Sequence, residues 1–330
     1  MTFKFNNVYL KEVATIAGPY EKKGPLGNLF DKTYKDLYCE ETSWERAEVH
    51  LLNESMKKVL KKSNLTKEDI DLLIAGDLLN QISSSSYAAY DLGKPFLGIY
   101  NACATNTEAL IIGSSLISSK YIKKCICSVS SHNMSSEKQF RNPTEYGAPK
   151  PKTATFTSTG GASAILTDEK TNIKIESGTI GKIMDLEQKD PLNMGAVMAP
   201  AAAETIYQHL TDTNRDPNYY DLILTGDLGL YGKEILIEYM KKEYKIDISN
   251  NYNDCGIMLY DLKKQKEILA GGSGPVCSAL VLYTIVLEQM RQKNIKRVLM
   301  VATGALFNPN FVFQKENILS IAHAVSLEVI

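Results

Sequence analysis

The chain has 330 residues, of which 44% are hydrophobic and 23% are charged. These values are ordinary for a globular protein with an ample core. The formal net charge of −1 gives no reason to expect a nucleic-acid partner, so the charges that select any ligand must be local.

The six cysteines are too sparse for a disulfide scaffold and lack the paired spacing of a zinc site. No signal peptide is recognisable, and we expect a reducing compartment. The uncharged residues 271–287 form a stretch that is shorter than the roughly 20 apolar residues of a membrane-spanning helix and contains Gly and Ser. It predicts a buried core helix, so any membrane association is expected to be peripheral or through a partner.

The first part of the chain alternates strands and helices. Apolar spacing predicts a strand over residues 8–13, and a helix that starts near Ser43 and runs to about Lys62. A second strand ends at Gly76-Asp77. A short buried strand over residues 96–100 then leads into an apolar helix.

Cys103 lies in the turn between that strand and that helix. Thr105 and Glu108 have the spacing of a capping box at the helix start. The free amides and dipole of a helix N-terminus favour an anion, which predicts a lowered pKa for the Cys103 thiol. An equally weighted alternative is a small buried cysteine with no chemical role.

The next strand, residues 125–130, ends at Ser131-His132. Cys125 and Cys127 alternate along it and are expected to pack in the core. Residues 133–152 are too long for a simple connection, which is typical of a functional or disordered loop. Residues 153–167 predict a strand interrupted by Gly160-Gly161, which we interpret as a backbone crossing because no phosphate-binding motif surrounds it.

The second half repeats the first. DPNYYDLILTGD at residues 216–227 matches KEDIDLLIAGD at residues 67–77, and Gly272-Ser273-Gly274-Pro275 matches the Cys103 turn. KRVLMVATG at residues 296–304 matches KKCICSVSS at residues 123–131. We therefore predict two duplicated halves, residues 1–175 and 176–330.

A duplicated α/β unit with buried central helices, and a cysteine at the start of the first one, resembles the thiolase fold. That resemblance implies a five-layer α/β/α/β/α architecture. Five separated strings, in order, resemble the stage V sporulation protein AD family. They are KGPLG at residues 23–27 with Phe30-Asp31, GDLLNQ at 76–81, SSH at 130–132, EKQFRNPTEYG at 137–147 and IAHAV at 321–325.

The family resemblance implies a non-catalytic protein that binds dipicolinic acid (pyridine-2,6-dicarboxylate), free or as calcium dipicolinate. It implies uptake of that ligand during sporulation and its release during germination. The implied partners are membrane subunits of the stage V sporulation protein A complex and a second copy of the chain, at the spore inner membrane. No cofactor is expected, although calcium can be carried with the ligand.

The positions of the histidines also favour a non-catalytic protein. Condensing enzymes of this fold need histidine from the second half to activate the cysteine, and neither Gly226-Asp227 nor the Gly272 turn supplies one. His50 and His209 are predicted on surface helices, which leaves His132 and His323. The alternatives are an acyltransferase or condensing enzyme that uses Cys103, and a structural plug or scaffold subunit of a membrane channel.

Asp77, Cys103 and His132 each follow a first-half strand, at the edge where open α/β sheets place ligands, and are expected to converge. Arg141 is the candidate carboxylate donor and Tyr146 the candidate stacking wall.

Each of these residues also has a structural interpretation. Asp77 can be a turn or cap residue and His132 a buried structural histidine. Arg141 can form a helical salt bridge with Glu137, Tyr146 can contact a partner across a two-fold axis, and His323 can be a core or rim histidine.

Overall fold

The computed structural model describes residues 1–140 and 149–330, so Arg141 and Tyr146 lie outside the described residues. Its strands are β1 (Thr2–Lys4), β2 (Tyr9–Ala17), β3 (Lys32–Thr33), β4 (Leu72–Gly76), β5 (Phe96–Gly98), β6 (Lys124–Ser131), β7 (Phe156–Thr157), β8 (Gly160–Thr167), β9 (Ile173–Ile180), β10 (Leu222–Thr225), β11 (Tyr252–Asp254), β12 (Gly272–Ser273), β13 (Arg297–Ala305) and β14 (Ser320–Val329). Its α-helices are α1 (Pro19–Lys23), α2 (Trp44–Ser63), α3 (Ser83–Leu92), α4 (Thr105–Ser118), α5 (Asn133–Phe140), α6 (Met194–Thr213), α7 (Gly229–Tyr239), α8 (Cys255–Met258), α9 (Pro275–Val281), α10 (Leu287–Arg291) and α11 (Pro309–Phe313).

The main sheet has the same strand order in both halves of the chain. Read from its two edges inward, the order is β5-β4-β6-β8-β2 in one half and β11-β10-β13-β14-β9 in the other. The parallel and antiparallel pairings also correspond, for example β4 with β6 and β10 with β13, which are both parallel. This equivalence supports the duplication. The domain boundary predicted between residues 175 and 176 falls inside β9.

Buried helices separate the two halves of the sheet. Helix α4 contacts β4 and β6 of the first half as well as β13 and β14 of the second, and α9 packs beside it. Helix α2 covers the outer face of β2 and β8, and α6 covers the outer face of β13 and β14. These contacts give the five layers of the predicted thiolase-like fold, which is confirmed.

Local sequence explains several of these elements. Ser43 caps α2 by accepting a hydrogen bond from the Arg46 amide, and Asn64 ends the helix in a left-handed conformation. Cys125 and Cys127 point to one face of β6 and lie against Gly113 of α4, as predicted. The predicted core helix is also confirmed, because α9, a π-turn over Leu282–Val286 and α10 form one largely buried helical run.

Other local predictions need correction. The strand expected to be buried at residues 96–100 is β5, which lies at the sheet edge with Leu97 40% exposed. The connection predicted as a loop over residues 133–152 begins as a helix, α5.

His209, predicted on a surface helix, is fully buried, because α6 packs between the sheet and α7. The His209 ring forms hydrogen bonds with Thr179 and Tyr220. In the described residues, no helix is both long and apolar enough to cross a membrane.

Gly160 and Gly161 begin β8 and do not interrupt a strand. A Cβ atom on Gly161 would overlap the Leu51 carbonyl of α2, so the helix lies directly on the backbone of β8. The pair is therefore a close backbone crossing, in agreement with our interpretation of the sequence.

We expect Gly161→Ala to lower the free energy of unfolding by about 2 kcal/mol or more, because α2 must move away from the sheet. Gly93→Ala is the matched control. Gly93 has a φ of 69° and no other atom within 4 Å of the added Cβ, so only backbone strain of about 1 kcal/mol is expected. Denaturant unfolding of both variants measures the difference, and equal losses would contradict this packing.

Candidate functional site

Cys103 lies in a tight turn between β5 and α4, as predicted. Ala102 adopts a φ of 49°, and the Asn101 carbonyl accepts the Ala104 amide at 3.0 Å. The predicted capping box is wrong, because Thr105 is already the first residue of α4. Its hydroxyl donates to the Ala102 carbonyl at 2.7 Å and accepts the Asn101 amide at 3.1 Å. Thr105 therefore fixes the turn that presents Cys103.

The matching turn of the second half meets Cys103 from the opposite side. Ser273 ends β12, and its Oγ lies 3.8 Å from Cys103 Sγ. Behind both residues, Asp227 accepts hydrogen bonds at 3.1 Å from the Ser273 hydroxyl and from the Gly274 amide. Asp227 also accepts the Thr303 hydroxyl at 2.7 Å. The two buried helices α4 and α9 thus begin at one small polar cluster.

The electrostatics of this cluster reverse the predicted activation of the thiol. Burial, followed by the neighbouring Asp227 carboxylate, raises the pKa of Cys103 well above that of a free thiol, and hydrogen bonds from Ser273 and Gly274 only partly oppose this. Among the described residues, no histidine forms a hydrogen bond with Cys103. The sulfur is therefore a protonated thiol at neutral pH.

A pocket of about 520 Å³, open mouth included, ends at Cys103. Apolar side chains form most of its wall, and a smaller polar set includes Ser136, whose buried hydroxyl has no partner in the described part of the chain. The lining residues are Leu78, Tyr100, Ala102, Cys103, Ser136, Glu137, Phe140, Thr157, Met194, Met198, Ser273, Ala305 and Phe307.

Asp77 does not line this pocket. It is fully buried, where its carboxylate accepts the Leu79 amide at 2.8 Å and both the amide and hydroxyl of Ser85 at 2.7 Å. These bonds cap the start of α3. Burial raises the pKa of Asp77, and its charge in turn helps to raise the pKa of the buried Glu48.

His132 is also buried away from the pocket. Its Nε2 donates to the Leu37 carbonyl at 2.7 Å, and its Nδ1 accepts the Ser135 amide at 3.4 Å. Both ring nitrogens therefore have protein partners, and burial lowers the pKa of His132 to about 4. The structure brings Cys103 to the pocket, but it does not bring Asp77 or His132 to the pocket wall.

His323 lies on β14 behind the Cys103 turn. Its Nδ1 accepts the Gly181 amide at 3.2 Å, and its Nε2 lies 3.3 Å from the Asn101 carboxamide. Burial lowers the pKa of His323 to about 4, so the ring is neutral at physiological pH. This arrangement agrees with the structural interpretation of His323.

Glu137 lies at the pocket wall and forms an ion pair with Lys150 at 2.8 Å. Phe140 packs against Phe307 with ring centroids 5.2 Å apart. Both phenylalanines line the pocket. No cluster of three or more His, Cys, Asp or Glu side chains suited to a metal ion is present in residues 1–140 and 149–330.

Sequence reasoning missed Asp227, Ser273 and Ser136 as members of the site. Asp227 could have been singled out, because the duplicated Gly-Asp string places it after β10 as Asp77 follows β4. Ser136 carries no such signal, since only the tertiary structure shows that its hydroxyl is buried at the pocket without a partner among the described residues.

Comparison with known proteins decides the family. The family model described as stage V sporulation protein AD matches residues 1–328. The chain is also 46% identical to the stage V sporulation protein AD of Bacillus subtilis (strain 168) over 321 residues, which cover 97% of this chain and 94% of that protein.

The chain belongs to the stage V sporulation protein AD family. Membership supports a role in sporulation and is consistent with a protein that is not an enzyme.

Solved structures show the fold of this family member. Cerulenin-bound OleA of Xanthomonas campestris matches with a TM-score of 0.63 at 14% identity, covering 98% of both chains. Human mitochondrial 3-ketoacyl-CoA thiolase in complex with CoA matches with a TM-score of 0.60 at 13% identity, covering 98% of both. The 3-oxoacyl-[acyl-carrier-protein] synthase III of Aquifex aeolicus VF5 matches with a TM-score of 0.56 at 14% identity, covering 97% of this chain and 99% of that one.

The lowered pKa of His132 predicts a stability that depends on pH. The folded state holds the ring neutral down to about pH 4, whereas an unfolded histidine gains its proton near 6.5, so acid favours unfolding in this interval. The free energy of unfolding of the native protein is expected to exceed that of the His132→Asn variant at pH 7. We expect this difference to be about 2 kcal/mol smaller at pH 5. Urea unfolding of both proteins at each pH measures it, and a constant difference would contradict the buried neutral ring.

Proposed function

We propose that the pocket above Cys103 binds dipicolinic acid, free or as its calcium chelate, without transforming it. The observation that carries the proposal is one pocket that combines a mainly apolar wall with polar donors around a thiol held in its protonated form. Small-molecule sites of soluble proteins commonly have this composition, with few polar groups that fix orientation.

The wall suits a flat aromatic ring. Tyr100, Phe140 and Phe307 supply aromatic surface, and Met194 and Met198 supply flexible apolar surface that can adapt to a planar ligand. A pyridine ring between such groups gains apolar burial and ring contacts.

The polar lining suits carboxylates. The Ser136 hydroxyl, which has no partner in the described part of the chain, is an available donor, and Thr157 adds a further hydroxyl at the pocket. The N-terminus of α4 also lies at the pocket floor, where its dipole favours negative charge. Arg141 keeps its predicted role as a carboxylate donor and Tyr146 as a stacking wall within this proposal.

Asp77 and His132 act on the ligand indirectly in this proposal. Their hydrogen-bonding groups are occupied by Leu79, Ser85, Leu37 and Ser135. Asp77 fixes the segment that carries Leu78, and His132 fixes the start of α5, the helix that carries Ser136. Both therefore support the pocket wall.

Catalysis by Cys103 lacks support in the same geometry. A nucleophilic cysteine needs a lowered pKa or an adjacent base, whereas burial and Asp227 raise the pKa of this thiol.

We propose that the chain is a carrier or receptor for dipicolinate in its uptake during sporulation and its release during germination. In this role it acts as a homodimer at the spore inner membrane, bound peripherally to membrane subunits of the stage V sporulation protein A complex.

Calorimetric titration of the full chain with dipicolinic acid, with and without calcium, tests the proposal. We expect saturable binding that Ser136→Ala weakens about tenfold or more, because it removes a buried donor to a charged group. Cys103→Ala is expected to weaken binding as well. Cys125→Ala is the matched control, since Cys125 packs against Gly113 in the core and does not line the pocket.

Two results would count against the proposal. Absence of binding by the native chain in both arms would exclude dipicolinate as the ligand. Binding that Cys103→Ala, Ser136→Ala and Cys125→Ala all leave unchanged would place the ligand elsewhere. Transfer of an acyl group from acyl-CoA to Cys103 would favour the enzyme alternative.

A further inference from the structure

The outer face of α2 carries a lysine triplet, Lys57, Lys58 and Lys61. Lys61 lies four residues after Lys57 and three after Lys58, a spacing that places side chains next to each other on a helix. The triplet lines an open cleft of about 560 Å³, and no residue lines both this cleft and the pocket above Cys103. The lining residues of the cleft are Ile16, Asp31, Lys32, Glu54, Lys57, Lys58 and Lys61.

The two carboxylates of the cleft are already paired with other lysines. The Asp31 carboxylate lies 3.0 Å from Lys62 Nζ, and the Glu54 carboxylate lies 2.7 Å from Lys32 Nζ. Within residues 1–140 and 149–330, the lysine triplet forms no hydrogen bond and no ion pair. The cleft therefore has an excess of positive charge that the protein does not neutralise there.

The stability of α2 does not account for this triplet. Basic residues interact favourably with the helix dipole in the last turn, which in α2 contains Lys61 and Lys62. Lys57 and Lys58 lie before that turn, where the dipole contributes little. Like charges three or four residues apart also repel each other and slightly destabilise a helix. An anionic surface beside the cleft would relieve this repulsion.

The rest of the chain does not supply a general positive charge. The formal net charge is −1, so attraction to an anionic surface has to come from a local face. The lysines that follow α7 are engaged, because Lys241 pairs with Asp247 at 3.1 Å and Lys242 pairs with Glu238 at 3.2 Å. The lysine triplet differs from them in lining a cleft whose carboxylates are paired elsewhere.

We propose that the cleft face of α2 is a docking surface for a membrane that contains anionic phospholipids. Charge complementarity selects this occupant, since clusters of lysines on a helix bind the closely spaced phosphates of such a membrane. Recognition of one small phosphate commonly uses the rigid fork of arginine, whereas lysine is a point charge on a flexible stem. No arginine is among the described residues that line the cleft.

This contact needs lipid alone. It therefore goes beyond the proposed contact with membrane subunits, and it does not depend on which ligand binds above Cys103.

Co-sedimentation of the full chain with protein-free lipid vesicles tests the proposal. We expect binding to vesicles of equal parts phosphatidylglycerol and phosphatidylcholine, and binding at least about tenfold weaker to phosphatidylcholine alone. Added sodium chloride should weaken the binding, because it screens exposed charges. The combined variant Lys57→Gln, Lys58→Gln and Lys61→Gln should bind at least about tenfold more weakly, since each lysine near an anionic surface contributes about fivefold.

A second triple variant is the matched control. Lys263→Gln, Lys264→Gln and Lys266→Gln change the net charge by the same amount, but these exposed residues do not line the cleft. This variant should bind the vesicles as the native chain does. Replacing the lysine triplet by arginine keeps the charge and should also preserve binding. Circular dichroism of each variant checks that the fold is retained.

Four results would overturn the proposal. The first is no binding of the native chain to the anionic vesicles, and the second is equal binding to phosphatidylcholine alone. The third is an equal loss of binding in both triple glutamine variants, which would indicate an effect of net charge and not of this face. The fourth is binding to soluble polyglutamate without binding to vesicles, which would assign the face to an acidic protein.

Discussion

The meeting of two buried helix N-termini at one small polar cluster is the constraint on which the site depends. Helices α4 and α9 lie between the two sheet halves, and each begins in a turn that places a small polar side chain, Cys103 or Ser273, at the same point. Asp227 accepts hydrogen bonds from Ser273 and Gly274 of the second turn, and the Ser273 hydroxyl lies beside the Cys103 sulfur of the first turn. The amide at the start of α9 is bonded to this buried carboxylate, and burial together with the carboxylate disfavours a negative charge on the Cys103 sulfur.

Duplication explains why the fold can support such a centre. Both halves supply a strand, a turn and a helix in the same order, and the turns meet where the helices pack side by side. Small changes between the copies then decide their roles. Asp77 caps a helix start in one half and Asp254 does so in the other, where Asp227 instead bonds to Ser273 behind the pocket.

Sequence reasoning recovered the features that depend on local pattern. The duplicated strings, the Cys103 turn, the buried helical run after Gly274 and the close crossing at Gly161 all follow from periodicity and residue type, and the family followed from separated motifs. Predictions of features that depend on long-range packing were wrong, or the features were not predicted at all. The raised pKa of Cys103 depends on burial and then on Asp227, which lies far along the chain in the second half. The burial of His209 depends on α6 being covered on both sides.

Crystal structures of the full chain grown with and without calcium dipicolinate would show where this ligand binds. We expect planar ligand density above Cys103, in contact with Tyr100 and Phe307, with a carboxylate within hydrogen-bonding distance of the Ser136 hydroxyl. A ligand bound at another surface, with this pocket unchanged between the two crystals, would contradict this expectation.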